Sequence, residues 1–253
     1  MYTEEQFEQL EQEELAVTKE ALAAMILLLG GVKSNLEKEL RSLYQKYGKD
    51  GVITYAEARK WISEKDHRRR LTVLLLLVTT EFDGIRDDLE REMKSFLTKV
   101  IEMESSFFDV EVDIEKVLAA IWGLDATTWL VRLLSDIDLW DARIRSDIKR
   151  LISRGASIEQ VVDMLDKRFD SINSVLTTLA ISESTAIGSI ARKSIFKALG
   201  VDKYQFFSKP DERRCETCGA LHGVVFPISA YEVGVTASPI HPRCRCWEVP
   251  ILG

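Results

Sequence analysis

The chain has 253 residues, 46% of them hydrophobic and 30% charged, with a net charge of −7. That composition excludes disorder over the whole chain, and the negative balance argues against a general nucleic-acid coat. The charge is uneven: from residue 190 on, nine Lys/Arg stand against six acidic residues, which gives +3 there and −10 over the remainder.

The first five residues, Met-Tyr-Thr-Glu-Glu, are acidic where a secretory signal needs a basic start. The longest apolar runs, residues 22–32 and 71–78, are shorter than the roughly 18 residues of a membrane span. A chain made in a reducing compartment with no membrane partner is expected.

Residues 3–30 carry Phe7, Leu10, Leu15, Leu22, Met25, Ile26 and Leu29 at helical spacing. Gly30-Gly31 marks an end to that helix. A second helix is expected over 34–47, closed by Gly48, and Lys49-Asp-Gly51 is a turn signal. Thr54 with Glu57 forms a capping box for a short helix over 55–65. From 66 to 104 only Gly84 interrupts the helical texture. Phe82, Ile85, Leu89, Met93, Phe96, Val100 and Met103 form one stripe there. Packing inside a bundle is the favoured use of that stripe, and self-association through a coiled-coil seam is the alternative. Further helices are expected over 113–123 and 126–154. Gly155 and the capping box Ser157-Ile-Glu-Gln160 separate the latter from a helix carrying Ile158 through Leu179. A last helix over 182–199 ends at Gly200. Short strands are expected at 204–207, 224–226 and 246–249.

The texture changes after Gly200. All four cysteines, all five prolines and two of the three histidines follow it. Cys215-x-x-Cys218 sets two thiols on a tight loop. His241, Cys244 and Cys246 follow about 25 residues later. Five such donors in two clusters suit a tetrahedral zinc ion. In an extended segment Cys244 and Cys246 point to one side, which favours a four-cysteine site. Cys215, Cys218 and Cys244 with His241 is the competing set, and His222 is a weaker sixth candidate. Four protein ligands leave no open position for water, so the ion would be a structural staple. Two disulfides, or reduced thiols packed in a small core, are the alternatives. Prolines 210, 227, 239 and 242 suit a loop-rich module of this kind.

The pattern Asp211-x-x-x-Cys215-x-x-Cys218-x-x-Leu221-x-Gly223-x-x-Phe226-Pro227, followed by His241-Pro-x-Cys244-x-Cys246, resembles the C-terminal signature of the phage head morphogenesis family. These are Mu protein F-like minor head, or minor capsid, proteins of tailed bacteriophages. The resemblance runs from about residue 120 to 250. It takes in Trp122-Gly123 and the helices up to Gly200-Val201. Relatives often have an Arg-Thr-Glu-like triplet where this chain has Ile181-Ser182-Glu183, so no role is carried over to an arginine there. The resemblance implies a low-copy structural protein of the virion, in the head interior or at the portal vertex. It would act in head morphogenesis and DNA packaging after assembly in the host cytoplasm. The portal protein is the implied partner, with scaffold, major capsid protein and phage DNA as others. Some relatives carry toxin or ADP-ribosyltransferase domains after the cysteines. This sequence ends at Gly253, so no such domain is expected.

The overall expectation is a mainly α protein with an elongated multi-helix body and a small irregular α+β, zinc-binding C-terminal module. Its divisions are a helical extension over 1–120, a helical part over 121–200 and the cysteine module over 201–253. No phosphate-binding glycine loop, nucleophile elbow or His-Glu-x-x-His motif is present. Asp136, Asp138 and Asp141 read as an exposed acidic helix face. No catalytic residue is expected. Arg213, Arg214, Arg243 and Arg245 flank the candidate ligands. They supply the alternative reading, a module contacting DNA phosphates.

Overall fold

A computed structural model of the chain describes residues 3–63, 65–123, 125–209 and 211–251; Pro210 therefore lies outside the described residues. Among the described residues, seven α-helices precede or interleave three strands. They are α1 (Glu4–Tyr47), α2 (Tyr55–Ser63), α3 (Lys65–Phe108), α4 (Ile114–Leu118), α5 (Trp129–Ser153), α6 (Ile158–Ala198), β1 (Lys203–Ser208), α7 (Glu216–Leu221), β2 (Val225–Pro227) and β3 (Cys246–Ile251).

Two expected helix breaks are absent. Gly30 and Gly31 lie inside α1, and the backbone runs through residues 180–182 within α6. A glycine in a helix costs only about 1 kcal/mol relative to alanine. In α1 that is outweighed by a buried stripe that continues past it, through Val32, Leu36, Leu40 and Tyr44. The local start signals hold. Ser157 N–H donates to Gln160 Oε1 and Gln160 N–H to Ser157 Oγ. Glu57 N–H donates to Thr54 Oγ1. Thr3 and Gln6 form an unanticipated reciprocal pair ahead of α1.

One 18-residue window of α1 reaches a mean hydropathy of 1.8, and 28% of it is buried in the chain. By length and composition α1 is thus long and apolar enough to cross a bilayer. The uninterrupted runs alone gave the opposite reading, because a window tolerates a charged residue that breaks a run.

The chain divides into two compact units. One comprises residues 24–90 and 133–175. Its four long helical segments pack antiparallel and are tied by Asn35–Glu81, Thr79–Asp141 and Arg168–Asp147 hydrogen bonds. The Lys49–Val52 turn places Asp50 and Gly51 at positive φ, as a tight type I′ turn requires. Asp141 is buried at 8% exposure and held by Thr79 and Arg145. It is a packed, paired residue, not part of an exposed acidic face; Asp138 is exposed and pairs with Arg86.

The other unit comprises residues 1–23, 91–132 and 176–253. Its sheet has the order β2-β1-β3, all antiparallel. Tyr204, Phe206 and Ser208 alternate onto the buried face of β1. Tyr204 joins Phe7, Phe108, Phe196, Tyr231 and Trp247 in one core, which is how α1, α3 and α6 carry the sheet. Phe206 joins a second, smaller core made with Cys218, Cys244 and Cys246.

Candidate metal centre

Three local structures bring the cysteines together. Cys215 is the N-cap of α7, and its Sγ accepts the Cys218 N–H at 3.3 Å. That bond turns the first thiol back toward the second. Cys246 opens β3 opposite Ser208 of β1. Cys244 stands two residues before it and directly follows Arg243, which holds a positive φ of 58°. All four cysteines are free thiols; Cys215 is half-buried and the others are buried.

The donor atoms form two groups that share Cys218. Those of Cys215, Cys218 and His241 lie within 4.8 Å of one another, as do those of Cys218, Cys244 and Cys246. The Sγ atoms of Cys218 and Cys244 are 3.7 Å apart. Two sulfurs bound to one tetrahedral zinc at about 2.3 Å each would be about 3.8 Å apart, so this edge already has the required length. The wall holds a buried Ser208 Oγ with no hydrogen-bond partner, beside a cavity of about 30 Å³. Donor set, spacing and cavity all fit a small soft-ligand cation.

His222 is not in either group. Its Nδ1 accepts the Ser208 N–H at 3.1 Å, and its ring meets Phe207 edge-on. His241 is in the first group, with Nδ1 against the Pro242 carbonyl at 2.9 Å.

The electrostatics are those of a crowded thiol cluster. A hydrogen bond from the Cys246 thiol lowers Cys244 to about 6. Burial, then the neighbouring Cys244 charge, raises Cys218 to about 12. The hydrogen bond with Cys244, then burial, raises Cys246. A divalent cation, by neutralising thiolate charge, is what would let the buried thiols ionise together.

The four flanking arginines differ. Arg245 makes a two-pronged bond to Asp211, Nη2–Oδ1 2.7 Å and Nη1–Oδ2 2.5 Å. Arg243 donates from its backbone to Ser182 Oγ and from Nε to Thr178. Arg213 is 78% exposed, with Asp211 at 3.9 Å. Arg214, with Lys209, lines the mouth of the cavity. Glu248, two residues beyond Cys246, pairs with none of these arginines; it is fully buried and pairs with Arg192.

Upstream, the segment between α4 and α5 is fastened to α6 by Glu183. This carboxylate, 1% exposed, accepts from Trp122 Nε1 at 2.8 Å and Arg132 Nε at 2.5 Å. Arg132 also stacks over the Trp122 ring at 4.6 Å. The arginine missing beside Glu183 in sequence is thus matched in space by one from α5.

These are the elements that the motif spans. Residues 142–249 match the family described as Phage Mu protein F like protein. The Mu F-like segment thus runs from inside α5 to β3 and contains every candidate ligand. Arg132 and Trp122 lie just ahead of it. No curated protein matches the chain, and no solved structure does.

Proposed function

We propose that this protein is a structural component of a tailed-phage head that acts in head morphogenesis, docks on the portal vertex and assists DNA packaging. The Mu F-like match over residues 142–249 carries this reading. The protein acts through binding surfaces and not through catalysis. Cys215, Cys218, Cys244 and Cys246, with His241 beside them, hold a structural zinc ion that fastens α7 and the 241–246 loop to the sheet. When bound, the ion neutralises thiolates and cross-links two segments about 25 residues apart; it offers no open coordination position. The chain's own residues shape the surface around it.

Co-purification with the portal protein of the same genome, with and without a chelator, tests both parts. Association that a chelator abolishes supports the portal role and its dependence on the centre. No association under either condition sinks the portal reading.

A second reading rests on Arg213, exposed at the cavity mouth beside Arg214 and Lys209. These cations would contact DNA phosphates, with Arg243 and Arg245 acting mainly to hold the loop. Salt-dependent DNA binding lost in Arg213→Ala/Arg214→Ala supports it, and no binding at low salt removes it.

A further inference from the structure

The buried charge of the 1–23, 91–132, 176–253 unit is concentrated at one point. Arg192 of α6 is 3% exposed. Three carboxylates from three other elements converge on it: Glu104 of α3 at 2.5 Å, Glu248 of β3 at 3.4 Å and Glu14 of α1 at 3.6 Å. All three are buried, at 0%, 0% and 5% exposure.

Their satisfaction is unequal. Glu248 accepts from Ser238 N–H, Ser189 Oγ and Tyr231 OH as well as from Arg192. Glu14 Oε1 and both oxygens of Glu104 have no aligned donor, although Glu104 is in ion contact with Arg192. The two orphaned Oε1 atoms face the same spot over Gly188. A Cβ added there would lie 3.2 Å from Glu104 Oε1 and 3.6 Å from Glu14 Oε1. Two carboxylates that meet in a dry site beside a single guanidinium cannot both stay ionised without a large penalty. One proton between them removes a charge and supplies the missing hydrogen bond. Aspartic-protease dyads show the same chemistry.

We propose that Glu14 and Glu104 share one proton, and that loss of this proton loosens residues 4–23 of α1 from α3 and α6, making this helical segment a pH-released strap. The surroundings are consistent on every side. Glu14 is faced by Glu104 from α3 and Arg192 from α6, with Glu11 on its own helix. Glu248 and Tyr231 lie beyond Arg192. Glu11 in turn feels Arg192, Lys209, Arg245 and Cys244. Thr18, one turn on, adds neutral bonds only, to Ser184 Oγ and to the Glu14 carbonyl. Burial, then the Glu104 charge, raises Glu14 well above the ordinary carboxylate range. Burial raises Glu104 too, against the pull of Arg192. Groups raised on docking stabilise the docked strap fully below their ordinary values. That contribution disappears as pH climbs through the docked ones.

The test is hydrogen exchange of the full-length protein, corrected for intrinsic rates, read on residues 4–23 between about pH 5 and pH 9. For one linked proton, opening of the strap should rise roughly tenfold per pH unit between the undocked and docked values. Glu14→Gln and, separately, Glu104→Gln replace the shared proton with a permanent N–H donor. Each should remove most of that rise, leaving the separate contribution of Glu11, which burial raises to about 7 on the same segment. Three results overturn the proposal: a wild-type profile flat with pH, a rise undiminished in both glutamine variants, or a strap already open in both variants at the acid end.

Discussion

Asp211 grips Arg245 with both carboxylate oxygens, at 2.5 and 2.7 Å. Asp211 stands four residues before the first cysteine, and Arg245 stands between the last two. The pair therefore closes the two halves of the cysteine motif on each other, independently of any ion. Arg245's hydrogen bonds hold the Asp211 carboxyl down at about 2. A depressed carboxylate stabilises above its ordinary range, and here the clamp is lost only as pH falls through about 2. Asp211→Asn should raise amide exchange over 209–223 and weaken zinc retention, while the helical signal in far-ultraviolet dichroism is unchanged. Equal exchange in variant and wild type would show that the ion alone sets the loop.

Metal content is expected to follow the geometry donor by donor. The 3.7 Å edge between Cys218 and Cys244 and the burial of Cys246 favour a four-cysteine set. Elemental analysis should find one zinc per chain in the wild type and in His241→Ala, and none in Cys218→Ser, whose thiol belongs to both donor groups. Retention in Cys246→Ser with loss in His241→Ala would exchange those two ligands. Chelation should unfold residues 203–251, since a structural zinc contributes about 10–16 kcal/mol in small peptides. Thiols that hold protons at neutral pH must release them on binding, so affinity should fall as the medium is acidified.

How much of this was readable beforehand depends on the kind of signal. The ligand clustering was legible because five rare donors at short spacing are a local pattern. The three strands were legible for the same reason, and the structure places each within two residues at either end of its expected bounds. Asp211's partner was not, because nothing in the sequence ties residue 211 to residue 245. The local glycine and polar signals at 30–31 and 180–182 predict helix ends, whereas packing carries α1 and α6 through both. The buried Arg192 cluster was missed outright. Its only trace was polar: Glu14 and Thr18 occupy the stripe between Leu10 and Leu22, where apolar residues were sought. On α3 the apolar stripe predicts burial at Met103, yet the buried position is Glu104.

Arg132 and Glu183 form an ion pair between a half-buried and a buried side chain, 17% and 1% exposed. Truncation to Arg132→Ala would leave Glu183 with only the Trp122 donor among its present partners. Breaking a buried pair by removing one member costs about 3–5 kcal/mol. Urea unfolding should show a loss of that order for Arg132→Ala and a smaller one for Glu183→Gln, which keeps an acceptor for Trp122. A loss under about 1 kcal/mol for Arg132→Ala would mean the pair is solvent-relaxed and only weakly coupled.

The continuity of α1 gives the last prediction. Gly30 and Gly31 lie in the helix interior, their φ values are not positive, and a Cβ at either would meet nothing within 4 Å. Alanine there loses less backbone freedom on folding and introduces no clash. Each substitution should therefore stabilise by about 0.8–1 kcal/mol, and the double variant by close to the sum if the two act independently. Thermal melting reads this directly. Were α1 broken at these residues, as a terminating glycine pair would have it, at least one would need a left-handed backbone. Alanine at that position would then lower the melting temperature. A rise in both single variants is the outcome a single uninterrupted helix requires.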